Sequence, residues 1–253
     1  MIQLKNSTEI AKIRESGKIL AECLLSLDEV IKPGISTWDV DRIAHEFIKK
    51  HHAIPSCLGY CGYPAATCTS INEVVIHGIP SKKQILKEGD IISVDICVTL
   101  DGYVSDSTRT YEVGKVSDEV HKLNVVTREC LYLGIEAARK KGARLHDIGA
   151  AVFRHAFTEN GYGVVRDYTG HGVGFDVHEE PSVPNYVEPM SSNLRLKPGL
   201  VLAIEPMINM GTWRIKDDRK DGWTVRTADG KPACHWEHTI AVTDHGIEVL
   251  TEL

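Results

Sequence analysis

The sequence lacks the features that would place this chain in a membrane or on a nucleic acid. It has no run of eighteen apolar residues, the length that a membrane-spanning helix needs. Its first residues lack the basic-then-apolar order of a signal peptide. The formal net charge of −6 offers no basic excess for binding phosphates. These absences predict a cytoplasmic protein that binds neither membranes nor nucleic acids.

The cysteines fit neither a disulfide framework nor a structural zinc site. There are seven, an odd number at irregular spacing. Cys57, Cys61 and Cys68 lie close together in the chain, but none of them forms a CxxC pair. The set is typical of free thiols in a reducing compartment, where cysteine packs as a small, half-buried apolar residue.

Length and patterning predict one mixed α/β domain over residues 1–253, without a low-complexity linker. Apolar residues recur at helical spacing over 6–31, 36–48, 118–141 and 146–159. Residues 90–113 predict a hairpin, and the segment after 159 is rich in predicted strands.

A weak internal sequence repeat, here called the sequence echo, divides this domain in two. Residues 86–95 match residues 196–205 as L-K-x-G-x-[IV]-x-x-[VI]-[DE], so both copies end on an acid. Gly34 with its following helix resembles Gly142, and His77-x-x-Pro80 resembles His178-x-x-Pro181. The echo predicts two halves, about 1–115 and 116–253, in a pseudo-twofold α/β fold with acids from both halves at its centre.

Asp95 and Glu205 end these echoed segments inside apolar runs, which predict strands buried on both faces. A lone ionised carboxylate there costs several kcal/mol, so it must be paired, neutralised or bound to metal. Neither run contains Lys or Arg. Carboxylates with an imidazole suit hard or borderline divalent metals, which indicates a two-metal hydrolase.

The hairpin brings a second acid beside Asp95. Asp101-Gly102 is a two-residue turn signal that places Cys97 opposite Asp106 and Asp95 opposite Thr108. Asp95 and Asp106 then share a face as diagonal neighbours, about 7–8 Å apart at the backbone. That spacing allows them to hold two metals roughly 3.5–4 Å apart.

Two further ligands are predicted in the second half. His171 is flanked by glycines, which allow close backbone approach. Glu237 lies in 235–242, which alternates as a strand does, and His238 beside it is a competing ligand.

Several motifs together resemble those of the type I methionine aminopeptidases, members of the M24 metallopeptidases with the pita-bread fold. The resemblance covers essentially the whole chain. The motifs are CLGYCGYP at 57–64, SINEVVIHGIP at 70–80, Asp95 with Asp106, GHG at 170–172, HEEP at 178–181, IEP at 204–206 and WEHT at 236–239.

The resemblance implies a central antiparallel sheet covered by helices, and two divalent cations, Mn, Fe or Co, with Zn as a further candidate. It makes Asp95 a terminal ligand of the first cation and Asp106 and Glu237 bridging ligands. His171 and Glu205 complete the second site. A hydroxide between the cations attacks the carbonyl of a Met–Xaa bond whose second residue is small.

The resemblance also assigns catalytic and binding roles. Glu205 passes a proton to the leaving amine, and His77 and His178 donate hydrogen bonds to the scissile amide and the oxyanion. The methionine pocket is built from Cys57, Tyr60, Tyr63, Cys68, His77, His178 and Trp223. The substrates are the N-termini of peptides and of nascent chains at the ribosome, and the protein is expected to act as a monomer.

One departure and two alternatives qualify the resemblance. The residue before His178, often aromatic in this family, is Val177, which predicts a differently shaped pocket floor. An Xaa-Pro aminopeptidase or prolidase has the same five ligands, but usually with an additional N-terminal domain for which this chain has no room. A non-catalytic pita-bread binding protein typically loses metal ligands, whereas all five candidates are present here.

Overall fold

Four α-helices surround the sheets in this structure, a computed structural model that describes residues 2–190 and 192–253. They are α1 (Ser7–Ser26), α2 (Thr37–Lys50), α3 (Asp118–Ala138) and α4 (Leu145–Phe153). Asn6 and Glu9 cap the start of α1 reciprocally, side chain to backbone, and Ser36 caps α2. Two predicted helices were too long: a 3-10 turn (Leu27–Glu29) follows α1, and a π-helical turn (Arg154–Glu159) follows α4.

Among the described residues, all strand pairs are antiparallel and form four sheets. The strands are β1 (Ile54–Pro55), β2 (Cys68–Ile71), β3 (Val74–Ile76), β4 (Ile91–Leu100), β5 (Tyr103–Glu112), β6 (Gly163–Val164), β7 (Gly170–Gly172), β8 (Glu179–Val183), β9 (Val201–Ile204), β10 (Met207–Asn209), β11 (Ile215–Asp217), β12 (Val225–Thr227), β13 (Ala233–His235), β14 (His238–Thr243) and β15 (Gly246–Val249). In the first sheet β4 pairs with β5 along one edge and with β1 and β2 along the other. The other orders are β13-β10-β6, β11-β12-β3 and β15-β14-β9-β7-β8.

The β4–β5 hairpin has the predicted register throughout. Leu100 pairs with Tyr103, Cys97 with Asp106 and Asp95 with Thr108. Apolar residues of α1 and α2, such as Leu20 and Val40, pack on the β4 residues that point away from Asp95. One face of the hairpin therefore belongs to the core, and the other is free for polar residues.

The second large sheet is covered in the same way by α3 and α4. Leu131 and Ile148 of these helices join Leu202 of β9 and Ile240 of β14 in one buried cluster. Antiparallel sheets covered by helices are the predicted fold class, which is thus confirmed.

Two apolar segments that the sequence predicts as continuous strands are broken at an acid. The first stops at Ile204 and resumes at Met207, so Glu205 and Pro206 lie between β9 and β10. The second is broken at Trp236-Glu237, between β13 and β14. In both cases the chain passes from one sheet to another, because β9 pairs with β14 while β10 pairs with β13. Pro206 has no N–H to continue a ladder.

Backbone contacts repeat at the spacing of the sequence echo. Thr37 N donates to Gln84 O at 3.0 Å, and Leu145 N donates to Leu194 O at 3.0 Å. Isolated bridges likewise join Ser36 to Ile85 and residue 144 to residue 195. From these contacts we propose one domain over residues 1–253, made of two related halves, about 1–115 and 116–253; Met1 and Ser191 lie outside the described residues.

In the part of the chain that the structure describes, no helix is both long enough and apolar enough to cross a membrane.

Candidate metal centre

One cavity of about 100 Å³ brings together all twelve residues that the sequence nominates. Four acids and His171 line one side, which we call the acid wall: Asp95, Asp106, His171, Glu205 and Glu237. Six further lining residues, which we call the pocket wall, are Cys57, Tyr60, Tyr63, Cys68, His77 and Trp223. His178 lines the cavity beside both walls.

The hairpin supplies the first two acids of the acid wall. Asp95 on β4 and Asp106 on β5 project from the same face, as their register requires. Thr239 of β14 fixes Asp106 by accepting from its backbone N–H at 3.0 Å and donating to its carbonyl at 2.7 Å. Residues on β5 are thereby tied to the second large sheet, from which the other ligand candidates come.

The imidazole of His171 points at these acids because glycines let its strand run between two neighbours. A Cβ on Gly170 would lie 2.4 Å from the carbonyl oxygen of Ala203, and one on Gly172 would lie 2.4 Å from that of Glu180. His171 Nδ1 lies 2.9 Å from the carbonyl oxygen of Gly172, to which it donates in the tautomer that leaves Nε2 unprotonated. Nε2 lies 3.3 Å from Glu205 Oε1 and 3.7 Å from Asp106 Oδ2.

The remaining acids, Glu205 and Glu237, lie at the two strand breaks. Thr108 donates to Glu237 Oε2 at 2.9 Å, and Asn185 holds the backbone at the other break by donating to Glu205 O at 2.9 Å. His238, the competing ligand in the sequence, is turned away from the cavity. Its Nδ1 lies 2.9 Å from the Thr251 hydroxyl, on the far side of the break, so the competing assignment is wrong.

Burial makes ionised carboxylates costly on the acid wall. It raises the pKa of Asp95 to about 7 and that of Glu205 to about 8. For Asp106 and Glu237, burial and the neighbouring acids raise the pKa well above its usual range. Burial also lowers the pKa of His171 to about 3, which keeps its imidazole neutral.

Three oxygens of this wall are buried without a hydrogen-bond partner among the described residues: Asp95 Oδ1, Asp106 Oδ1 and Glu237 Oε1. Within residues 2–190 and 192–253, no Lys or Arg lines the cavity to neutralise them. Ligand atoms of Asp106, His171 and Glu237 lie within 4.8 Å of one another. Oxygen ligands with one neutral imidazole fit divalent cations, and cations would satisfy the orphaned oxygens.

Two further histidines flank the acid wall. The ring of His178 lies 4.3 Å from that of His171, and its Nδ1 lies 2.8 Å from the Tyr60 hydroxyl at the exposed mouth. His77 packs edge-on against Trp223 at 6.2 Å. Burial lowers the pKa of His77 to about 4, so it is neutral at pH 7 and donates through one ring nitrogen only.

The pocket wall is apolar, and its central polar group is satisfied within the chain. Tyr63 is buried and donates to the carbonyl oxygens of Thr67 and Gly78, at 3.2 and 2.9 Å. Its ring meets Trp223 edge-to-face at 5.1 Å. Cys57 and Cys68 are buried in the same cluster, whereas Cys61 is exposed, so the prediction of half-buried thiols was wrong for all three.

The cavity has lining residues that the sequence did not nominate: Ile76, Cys97 and His235. His235 is buried, and its Nε2 lies 3.5 Å from Glu205 Oε2. The period of two along a strand would have placed His235 on the face of Glu237, and Cys97 on that of Asp95. Val177 also lines the cavity, and its effect on the shape of the methionine pocket stays a prediction.

Comparisons with known proteins agree with this geometry. The family model described as "Metallopeptidase family M24" matches residues 11–244. A methionine aminopeptidase of Clostridium acetobutylicum is 52% identical, with 99% of each chain covered. The crystal structure of methionine aminopeptidase from Thermotoga maritima has a TM-score of 0.95 at 42% identity, and the match covers 100% of both chains.

The Xaa-Pro dipeptidase from Bacillus anthracis is a more distant neighbour, with a TM-score of 0.77 at 25% identity. The match covers 99% of this chain but only 62% of that one. The fold is thus shared with the prolidase-like enzymes, and the similarity is higher and more complete to the methionine aminopeptidases.

Proposed function

The chain belongs to the metallopeptidase family M24 and works as a methionine aminopeptidase; from this premise we propose that two divalent cations on the acid wall support the hydrolysis. The main support is that three buried carboxylate oxygens have no hydrogen-bond partner. Among the described residues, no Lys or Arg lines the cavity to neutralise them. Buried acids arranged in this way need cations to remain ionised.

Each acid then has a place. Asp95 would hold the first cation, Asp106 and Glu237 would contribute to both sites, and His171 with Glu205 would complete the second. This division is supported by the positions of the side chains, since ligand atoms of Asp106, His171 and Glu237 lie within 4.8 Å of one another. Asp95 lies one diagonal step from Asp106 along the hairpin.

When bound, such cations lower the pKa of a water molecule from 15.7 towards about 7 and polarise a peptide carbonyl. Glu205 accepts the proton of the attacking water and returns it to the leaving amine. His178 donates to the oxygen on which negative charge develops, and His77 donates to the scissile amide.

The pocket wall binds the methionine side chain. Thiols and aromatic rings suit a polarisable thioether, and the buried Tyr63 and the half-buried Trp223 enclose an unbranched chain. His178 and Tyr60 lie at the mouth, where the second residue of the substrate must pass. We infer that this crowding favours a small second residue.

The physiological setting follows from the same chemistry. Carboxylates with one imidazole suit Mn, Fe or Co, with Zn as a further candidate. All seven cysteines are free, which supports a reducing cytoplasm as the location. The substrates are then peptides and nascent chains whose N-termini emerge from the ribosome, and we propose that the protein works on them as a monomer.

Turnover of two peptides tests this function directly. We expect the Mn²⁺-loaded protein to cleave Met-Ala-Ser and to leave Ala-Pro peptides intact, and a chelator to abolish the cleavage until Mn²⁺ is restored. Preferential cleavage of Ala-Pro peptides would favour the prolidase-like alternative. Chelator-resistant turnover would contradict the role of the cations, and no turnover with either peptide would favour the binding protein.

A further inference from the structure

Three buried thiols meet where the acid wall joins the pocket wall. Cys57, Cys68 and Cys97 belong to one buried cluster. The strand register explains the meeting: Cys68 of β2 lies opposite Asp95 of β4, and Cys97 lies two residues further along β4. A hydrogen bond of 2.8 Å from Ser56 N to the Cys97 carbonyl places Cys57 beside them.

Cys97 lies beside both acids of the hairpin. It lies directly opposite Asp106 in the hairpin and on the same face as Asp95. Its sulfur and one carboxylate oxygen from each of Asp95 and Asp106 all lie within 4.8 Å of one another. Asp95 Oδ1 and Asp106 Oδ1 have no hydrogen-bond partner among the described residues, and both are buried at this point.

We propose that Cys97, Asp95 and Asp106 form a second cation site, one that binds thiophilic divalent cations such as Cd²⁺ and Zn²⁺ and overlaps the catalytic site. It rests on the proposed function only in taking Asp95 and Asp106 as cation ligands. The cation replaces the proton of the Cys97 thiol, which leaves to solvent, and no electron is transferred.

The ligand chemistry separates the two kinds of cation. Thiolate sulfur is a soft ligand that strengthens binding of Zn²⁺ and Cd²⁺ far more than that of Mn²⁺, which suits carboxylate and water. A Cd²⁺ ion bound by Cys97 would share both acids of the hairpin with the catalytic site. It would therefore compete with the cation that Asp95 would hold, and it should inhibit the Mn²⁺-loaded enzyme.

Titration of the metal-free, full-length protein with Cd²⁺ tests the site without substrate. We expect a thiolate-to-metal absorption band in the ultraviolet that saturates at one equivalent. Cys97→Ser should remove most of the band and weaken Cd²⁺ binding at least about tenfold, the effect of roughly 1.4 kcal/mol. Calorimetric titration of the same variant with Mn²⁺ should change the affinity less than about threefold.

Two controls make the result decisive. Cys61→Ser removes the exposed thiol of the same region and should leave the band intact. Cys97→Thr serves as a second variant in case serine at this buried position lowers the melting temperature. A wild-type band in both Cys97 variants would overturn the proposal, as would a band that only Cys57→Ser removes. Failure of wild-type turnover with Mn²⁺ would instead count against the proposed function, and the Cd²⁺ titration would still be readable.

Discussion

The two walls of the cavity satisfy their polar groups in opposite ways. The pocket wall is complete within the chain, since Tyr63 gives its hydroxyl proton to two carbonyl oxygens. The acid wall leaves Asp95, Asp106 and Glu237 each with a buried oxygen that nothing in the described residues satisfies. Folding alone thus supplies the partners of the Tyr63 hydroxyl, whereas the acid wall keeps oxygens that bound cations would satisfy. Substitutions in the two walls should therefore fail differently.

The largest expected effect is that of Asp106→Asn on the acid wall. An amide cannot share negative charge between two cations, so both should bind more weakly and kcat/KM should fall by more than about 10³-fold. Metal content by mass spectrometry and turnover of Met-Ala-Ser measure the two consequences.

The matched control is Asp101→Asn, the same change at the exposed turn of the same hairpin, which should keep both cations and full activity. Near-wild-type turnover of Asp106→Asn with two tightly bound ions would contradict the view that the acid wall, unlike the pocket wall, needs cations.

His178→Ala should have the next largest effect, because His178 lies beside both walls and is the proposed donor to the oxyanion. A donor aimed at charge that develops in the transition state lowers the barrier without an equal gain in substrate binding. Losing one such donor typically costs about 10²–10³ in kcat. Steady-state kinetics should show that loss at a similar KM, with both cations retained.

His245→Ala, at an exposed turn, is the control and should change neither constant. A purely structural role for His178 predicts early melting with normal turnover of the folded fraction. That outcome, or loss of metal, would remove His178 from the mechanism.

Trp223→Ala on the pocket wall should have the smallest effect of the three. It removes an edge-to-face contact with Tyr63 and one side of the methionine site. We expect KM for methionyl peptides to rise roughly fivefold, the effect of about 1 kcal/mol, while kcat and metal content stay near those of the wild type.

Trp213→Ala offers the same substitution outside the cavity and should leave KM unchanged. Loss of cations from Trp223→Ala would show that the two walls are coupled.

Much of this arrangement could be predicted because local rules fix it. Asp101-Gly102 determines the turn, the turn determines the register, and the register places Cys97 opposite Asp106. The Asn6 capping box sets the start of α1 in the same way. The glycines around His171 predicted the close backbone approach that the structure shows.

The rest depends on contacts that the sequence does not display. Glu205 and Glu237 sit in breaks between strands, and only the pairing of β9 with β14 and of β10 with β13 shows where each chain changes sheet. The alternation of apolar and polar residues continues across such a break, so the sequence does not reveal where the strand ends. His235 was missed for the same reason, since a buried histidine becomes notable only once its neighbour Glu205 is known.

The tie between Thr108 and Glu237 joins residues 129 positions apart in the sequence. Contacts of such long range are costly to form early, because the intervening chain must be ordered first. The acid wall should thus be among the last parts of the molecule to assemble during folding. In a partly folded chain, the hairpin acids would be in place without His171 or Glu237. Tight binding of catalytic cations would therefore indicate that folding is complete.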